Sequence, residues 1–282
     1  MQTLDIANPF GAPVYYRERV SSTMDEARIL AAAGAAGGTV ITADFQEAGR
    51  GRTRGRAWMA DPGKNLSLTI ILRYPDLQSI PRAITLRTGL ALSLAVEDFA
   101  PALAGMFMVK WPNDLMLGPM PGAACGVEAA LKTETAFKAA GILTEADGGT
   151  VFIGIGVNVA QTEFPRDLRA RATSIHLALQ TLTGAEPPPM ESPKARFRLL
   201  ERILVRLRGE LEPAGDAGDW RRRLEERLYL LGRDVQFVPG AADSDAVIEG
   251  RILGIGPEGE LRILPRGETE VQSFITGELR IP

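Results

Sequence analysis

Thr39-Val40-Ile41-Thr42-Ala43-Asp44-Phe45 runs straight into Gln46-Glu47-Ala48-Gly49-Arg50-Gly51-Arg52-Thr53-Arg54-Gly55-Arg56-Ala57-Trp58. The first half reads as a strand. The second half does not extend it. Arginine at every second position would lay a cationic ridge along the strand, and the interleaved glycines would weaken its pairing. Glycine fits better as backbone that bends sharply or lets a ligand come close, with N–H groups exposed. Arginine supplies forked donors matched to phosphate and carboxylate. The strand therefore ends near Gln46 and opens into a loop suited to wrapping an anion. Taken alone, such a basic run also reads as a solvated charged turn.

The neighbouring segments alternate between helix and strand. Ser21-Ser22-Thr23-Met24-Asp25-Glu26 starts a helix: Thr23 and Glu26 have capping-box spacing, Met24, Ala27, Leu30 and Ala31 form a stripe, and Gly34 ends it. Residues 65–72 alternate, with Leu66, Leu68, Ile70 and Leu72 on one face. Residues 81–99 read as a helix with Pro81 in its first turn. Residues 107–110 read as a short strand ending in Lys110-Trp111-Pro112-Asn113-Asp114, and 115–117 as another strand. The glycine- and alanine-rich stretch 118–138 looks like an insertion. Residues 140–145 and 151–159 read as neighbouring strands joined by Asp147-Gly148-Gly149. Two amphipathic helices follow, 193–207 capped by Ser192 and 219–229. From Gly232 onward short strands alternate with glycine turns, which predicts a small β-barrel. The expected architecture is α+β: a mixed sheet with flanking helices over 1–231, then the barrel over 232–282.

Hydrophobic residues make up 45% of the 282 and charged residues 24%, so a sizeable core is expected. Net charge is −3, so the arginine cluster is a local positive spot on a mildly acidic body, suited to a small anion more than to a long nucleic acid. One cysteine, Cys125, fits a reducing cytoplasm. One histidine, His176, makes a His-based metal site or a Ser-His-Asp triad improbable, and it reads as structural. The start of the chain lacks signal-peptide features and no apolar run is long enough to span a membrane. A cytoplasmic protein without membrane contact is the expectation.

Three constellations carry chemistry. Ser22 and Thr23 at a helix start and Gln46 at a strand end can donate and accept around a neutral, urea-like or amide-like group; helix capping is the plainer reading of the two hydroxyls. Lys110 follows the apolar Phe107-Met108-Val109 and brings an ammonium beside a pocket, while Pro112, Asn113 and Asp114 shape the turn, or merely decorate it. Gly154-Ile155-Gly156-Val157-Asn158-Val159 permits close backbone approach in a strand, with the Asn158 amide beside the gap. No helix follows those glycines, so they are not a dinucleotide fingerprint. Trp58 suits either stacking on a nucleobase or a place in the core.

Taken in order, Ser22-Thr23-Met24-Asp25, Gln46 to Arg52, Asn65-Leu66, Lys110 to Asp114, Lys138-Ala139-Ala140-Gly141-Ile142-Leu143-Thr144-Glu145, Gly154 to Val159 and Ile275-Thr276-Gly277-Glu278-Leu279 resemble the biotin protein ligase family. The resemblance implies the class II synthetase-like biotin/lipoate ligase fold followed by an SH3-like β-barrel. It implies two steps: biotin's carboxylate attacks the α-phosphate of ATP with Mg²⁺ assisting, and biotinyl-5′-AMP then acylates one lysine of a biotin carboxyl carrier protein.

By motif position, the resemblance gives Ser22, Thr23 and Gln46 the ureido ring, with Met24 lining the same pocket. Arg50, Gly51 and Arg52 would close over carboxylate and phosphate, and Lys110 would join Arg50 and Arg52 in stabilising the charge that develops. Trp58, Asn113 and Asn158 would lie near the nucleotide, with Arg52. No residue is assigned to a protein-held metal. The family's loop usually reads Gly-Arg-Gly-Arg-x-Gly-Arg-x-Trp; Thr53-Arg54 here adds a residue before Gly55, which leaves Arg54 and Arg56 without assigned roles. About twenty residues precede Ser22, fewer than the ~50 of a small folded domain, so no DNA-binding repressor unit is expected. The rivals are a lipoate or octanoate ligase of the same fold and a non-catalytic biotin- or nucleic-acid-binding protein. Monomer and homodimer both stay open.

Overall fold

A computed structural model describes residues 1–53, 55–118, 136–166, 168–187, 189–211, 219–240 and 246–280. Arg54, Cys125 and most of the glycine- and alanine-rich stretch lie outside the described residues.

The larger sheet is made of β1 (Gln2–Thr3), β2 (Val14–Val20), β3 (Val40–Gln46), β4 (Leu66–Arg73), β5 (Phe107–Lys110), β6 (Asp114–Leu117), β7 (Phe137–Asp147) and β8 (Thr150–Val157). Its order is β1-β2-β3-β4-β8-β7-β6-β5, and only β2 and β3 run parallel. The parallel pair needs a crossover, supplied by α1 (Thr23–Ala32). Met24 and Ala27 of α1 pack on Ile41, Ile71 and Phe152 on one face of the sheet. On the other face, α2 (Ile84–Phe99) and α4 (Pro193–Leu211) cover Leu66, Leu68, Ile70 and Leu72, with α3 (Ile175–Thr183) beside them. The predicted apolar face of β4 is therefore correct, but its alternate face is buried too, carrying Ser67, Thr69 and Ile71. Leu68 is fully enclosed, and its truncation to alanine would cost about 2–5 kcal/mol.

Tertiary contacts move several boundaries. Ser22, in extended backbone, is the cap of α1 and accepts from the Met24 N–H, while Thr23 is already helical and turns its hydroxyl elsewhere. Glu26 pairs with Arg17 instead of closing a capping box. α2 begins at Ile84 and leaves Pro81 outside, because Ala83 adopts φ 52. A Cβ on Gly259 would fall 2.7 Å from that of Ala83, so the bend follows close packing against the C-terminal region. α4 runs one turn beyond the prediction, since Glu210 at its end is clasped by Arg87 and Arg223. α5 (Asp219–Glu225) stops before Tyr229. Leu230 has φ 64, and the intervening backbone covers the edge of β5, with the Tyr229 N–H donating to Val109 O and the Val109 N–H to Arg227 O.

The C-terminal sheet is antiparallel, β12-β11-β10-β9-β13, built from β9 (Asp234–Pro239), β10 (Ile248–Ile255), β11 (Leu261–Pro265), β12 (Gln272–Phe274) and β13 (Gly277–Arg280). Phe237, Ile252, Leu261 and Ile263 fill its interior and join the main core through Trp111, whose indole N–H donates to Gly259 O at 3.0 Å. The turn after β5 thus anchors this sheet to the larger one.

Candidate active site

A polar relay forms where β3 ends and α1 begins. The Thr23 backbone N–H and hydroxyl both donate to Gln46 Oε1, at 2.8 and 3.0 Å. The Thr69 hydroxyl donates to Thr23 Oγ1 at 2.9 Å. A backbone N–H can only donate, so the atom facing it must be the Gln46 carbonyl oxygen, and the amide orientation follows. Gln46 Nε2 then keeps both N–H groups without a partner among the described residues. Thr69 is a participant that residue-by-residue reading of the sequence missed; its signal was a hydroxyl in a mostly apolar buried strand, shared with Ser67.

Glycines set the depth of the adjoining wall. A Cβ on Gly154 would lie 3.0 Å from Met24 Cε, and one on Gly156 would lie 2.4 Å from Trp58 Cε2. Across the ladder Gly141 faces Gly156, and a Cβ there would meet Trp58 Cζ3 at 3.3 Å and Lys138 Nζ at 3.4 Å. Two strand residues separate the levels of Gly154 and Gly156, about 7 Å. The neutral relay and Met24 stand at the first level; the indole and a lysine stand at the second. Trp58 Nε1 is buried without an acceptor among the described residues.

The arginine loop folds back on itself. The Gly51 N–H donates to Arg56 O and the Trp58 N–H to Gly49 O, with a bridge between Arg50 and Ala57. Arg50 grips Asp25 of α1 through both Nη atoms, which pushes its already high pKa further up. Arg52 donates to Gly277 O at 2.9 Å and Arg56 pairs with Glu278, so β13 holds the loop's far side.

Two lysines share the neighbourhood of Asp114. Lys138 Nζ stands 2.7 Å from Asp114 Oδ1. Lys110 pairs with Asp114 across the β5–β6 hairpin. Burial lowers the Lys110 pKa, Asp114 and Glu278 oppose that shift, and Lys138 and Arg56 reinforce it. No hydrogen bond or ion pair of the Lys110 ammonium occurs among the described residues.

These elements enclose a cleft of about 530 Å³, part of it open to solvent. The structure gathers nine of the eleven residues given site roles from sequence into its wall: Ser22, Thr23, Met24, Gln46, Arg50, Gly51, Arg52, Trp58 and Asn113. Asn113 fixes the wall by donating to Ile142 O at 2.9 Å. Two others are placed differently. Lys110 is not among the residues that line the cleft, whereas Lys138 is, beside the β-bulge between Leu115 and Met116 that shifts the β6–β7 register. Asn158 is 4% exposed and outside the wall, its amide committed to Thr173 O at 2.9 Å.

Known proteins share this framework. The model of the biotin/lipoate A/B protein ligase family matches residues 16–159. The chain is 35% identical to the bifunctional ligase/repressor BirA of Bacillus spizizenii over 60% of its own length and 47% of that protein's. It is 31% identical to the biotin–[acetyl-CoA-carboxylase] ligase of Mycobacterium tuberculosis over 84% of its length and 77% of that protein's. Against the solved biotin protein ligase of Aquifex aeolicus in complex with biotin and ATP, it aligns with a TM-score of 0.67 at 24% identity, covering 95% and 97% of the two chains. The chain spans about half the length of the Bacillus relatives it matches. The matched stretch reaches from β2 through β8 and takes in the relay, the arginine loop and the glycine-floored cleft. The chain belongs to the biotin/lipoate A/B protein ligase family.

Proposed function

We propose that the protein is a biotin protein ligase, converting biotin and ATP to biotinyl-5′-AMP and transferring biotin to a lysine of a carrier protein. One observation carries the reading: a cleft with a neutral hydrogen-bonding end and, one pleat along the strands, a cationic and aromatic end. A urea-like ring offers a carbonyl to the Gln46 amide and N–H groups to hydroxyl lone pairs of Ser22 and Thr23. Its carboxylate then extends toward Arg50, Arg52 and Lys138.

The carboxylate oxygen attacks the α-phosphorus of ATP, forming the acyl phosphate bond as pyrophosphate leaves. Negative charge on the phosphoryl oxygens is met by fixed cations, which lowers the barrier. In the second step the carrier's lysine amine attacks the acyl carbon, AMP departs, and an amide remains after loss of the amine proton. Arg50, Gly51 and Arg52 cover the mixed anhydride and shield it from water. Lys138 supplies the cleft-facing ammonium. Lys110 adds a second ammonium beside Asp114. Trp58 presents its face to adenine, Asn113 braces the wall, and Asn158 anchors it. Mg²⁺ accompanies the phosphates of ATP. The relatives' names support the ligase reading and a carrier protein of a biotin-dependent carboxylase as acceptor.

The larger sheet and its helices, residues 1–231, form the catalytic unit, and 232–282 the unit that pins the loop. We place the protein in the cytoplasm; among the described residues no helix is long and apolar enough to cross a membrane. Transfer of labelled biotin to a carrier domain with ATP and Mg²⁺ tests the reading, with lipoate as the control. Lipoate carries a dithiolane that offers nothing to the Gln46 amide. Transfer of lipoate alone would sink the proposal.

A further inference from the structure

Asp25 receives both ends of the Arg50 fork: Nη1–H donates to Oδ2 at 3.1 Å and Nη2–H to Oδ1 at 2.6 Å. The carboxylate stands in the first turn of α1, where the helix terminus favours negative charge. Ser22 and Thr23, on the same turn, face the cleft. The Arg50 and Asp25 side chains are 43% and 41% exposed. Such a pair is screened by salt and adds only about 0–1 kcal/mol to folding. Stability is a poor reason for a two-pronged contact here, and orientation is a better one. An end-on clasp uses Nη1 and Nη2 toward Asp25 and leaves the Nε–H edge for a second anion. Without a fixed partner the long Arg50 side chain spreads over many rotamers, and that entropy is lost on binding.

The far leg of the loop is pinned similarly, by Arg56 on Glu278 at 2.7 and 3.1 Å. Only the Arg50 clasp is at the cleft wall. We propose that Asp25 is a positioning residue: it aims Arg50 at the anionic centre of the bound substrate and ties the arginine loop to the helix turn that grips the neutral end. This inference rests on reading the cleft as the site of biotin activation.

The test uses the whole chain, with biotin-dependent ATP–pyrophosphate exchange and calorimetric titration of biotin for wild type, Asp25→Ala and Asp25→Glu. Asp25→Ala is expected to raise KM for biotin about tenfold while kcat changes less than about threefold. Its urea unfolding should match wild type, and Asp25→Glu should recover most of the affinity. An unchanged KM overturns the inference. So does a lower KM, which would mean that Asp25 competes with substrate for Arg50, and so does equal failure of both variants with loss of stability. A wild type that shows no biotin-dependent exchange overturns the reading of the cleft itself; an active wild type with an indifferent Asp25→Ala overturns the role of Asp25 alone.

Discussion

The indole of Trp58 occupies the space that a side chain at Gly156 would need, with Cε2 only 2.4 Å from where a Cβ would stand. The strand glycine and the loop tryptophan therefore form one structural unit. Gly156→Ala must displace the indole and with it the trailing leg of the arginine loop, whose Trp58 N–H donates to Gly49 O. We expect the apparent affinity for ATP to fall about tenfold or more, since small misplacements at a reacting centre are costly. Biotin affinity, set one level away, should change much less. Trp58 emission should shift to the red; an unshifted spectrum with normal ATP dependence would refute the coupling.

Gly154→Ala makes the opposite prediction. Its Cβ meets the flexible end of Met24 at 3.0 Å, so the fold should accommodate it. Crowding falls on the pocket beside the relay, and biotin affinity should drop about three- to tenfold while ATP dependence holds. Titration of each ligand against each variant separates the two glycines.

Lys138 and Lys110 should differ in kind. Lys138 lines the cleft and is held by Asp114, so Lys138→Ala should slow ATP–pyrophosphate exchange about 10²–10³-fold, the usual cost of losing one preorganised donor. Lys110 is outside the cleft's lining and has a pKa lowered by burial. The folded state thus holds that proton less tightly than the unfolded chain, so the charged lysine costs stability below its depressed pKa, and the cost is relieved as pH rises toward 10.5. Lys110→Met should therefore slow exchange yet unfold at a higher urea concentration than wild type at neutral pH. A Lys110→Met variant less stable than wild type would contradict this account.

Much of the site was readable because its chemistry was written in unusual residues. The alternating glycines and arginines excluded a strand, and Ser22, Thr23 and Gln46 shared a donor-acceptor logic; the structure joins Thr23 and Gln46 through direct hydrogen bonds and sets Ser22 beside them as the helix cap. Lys138 was harder: it sat at the end of a glycine- and alanine-rich stretch, and its access to the cleft accompanies a β-bulge that spacing does not reveal. The Asn158 amide was expected beside the gap left by two glycines, but it is consumed by Thr173 O, fifteen residues away. The start of α2 depends on Ala83 meeting Gly259, a contact no local pattern encodes.

Tyr16 gives a pH test of the scaffold under the site. Its hydroxyl donates to Asp44 Oδ2 at 2.8 Å, and Arg196 clasps the other oxygen at 2.5 Å. Burial and the hydrogen bond to Asp44 push the phenol from 10.0 up to about 12. A raised folded value means that the contribution is fully present below 10.0 and is lost as pH climbs toward about 12. Tyr16→Phe should cost about 1 kcal/mol at neutral pH, the worth of one hydrogen bond. The gap between wild type and variant should close in strongly alkaline urea titrations, and a constant gap would remove Asp44 as the cause.

The relay makes the last prediction, about selectivity. Thr69→Val keeps the shape of the side chain but deletes the donor to Thr23 Oγ1. Thr23 still donates to Gln46, so the amide stays oriented but is held less rigidly, and biotin affinity should fall about three- to tenfold. Gln46→Leu goes further: it removes the free amide donors and leaves the Thr23 N–H without its acceptor. A site built to hydrogen-bond its ligand loses far more than an apolar pocket would, about 10²-fold or more in biotin affinity. Lipoate, which has no carbonyl or N–H at its ring, should bind Gln46→Leu at least as well as wild type. Calorimetry with both ligands gives the ratio directly. A ratio unchanged by Gln46→Leu would show that discrimination lies outside the relay.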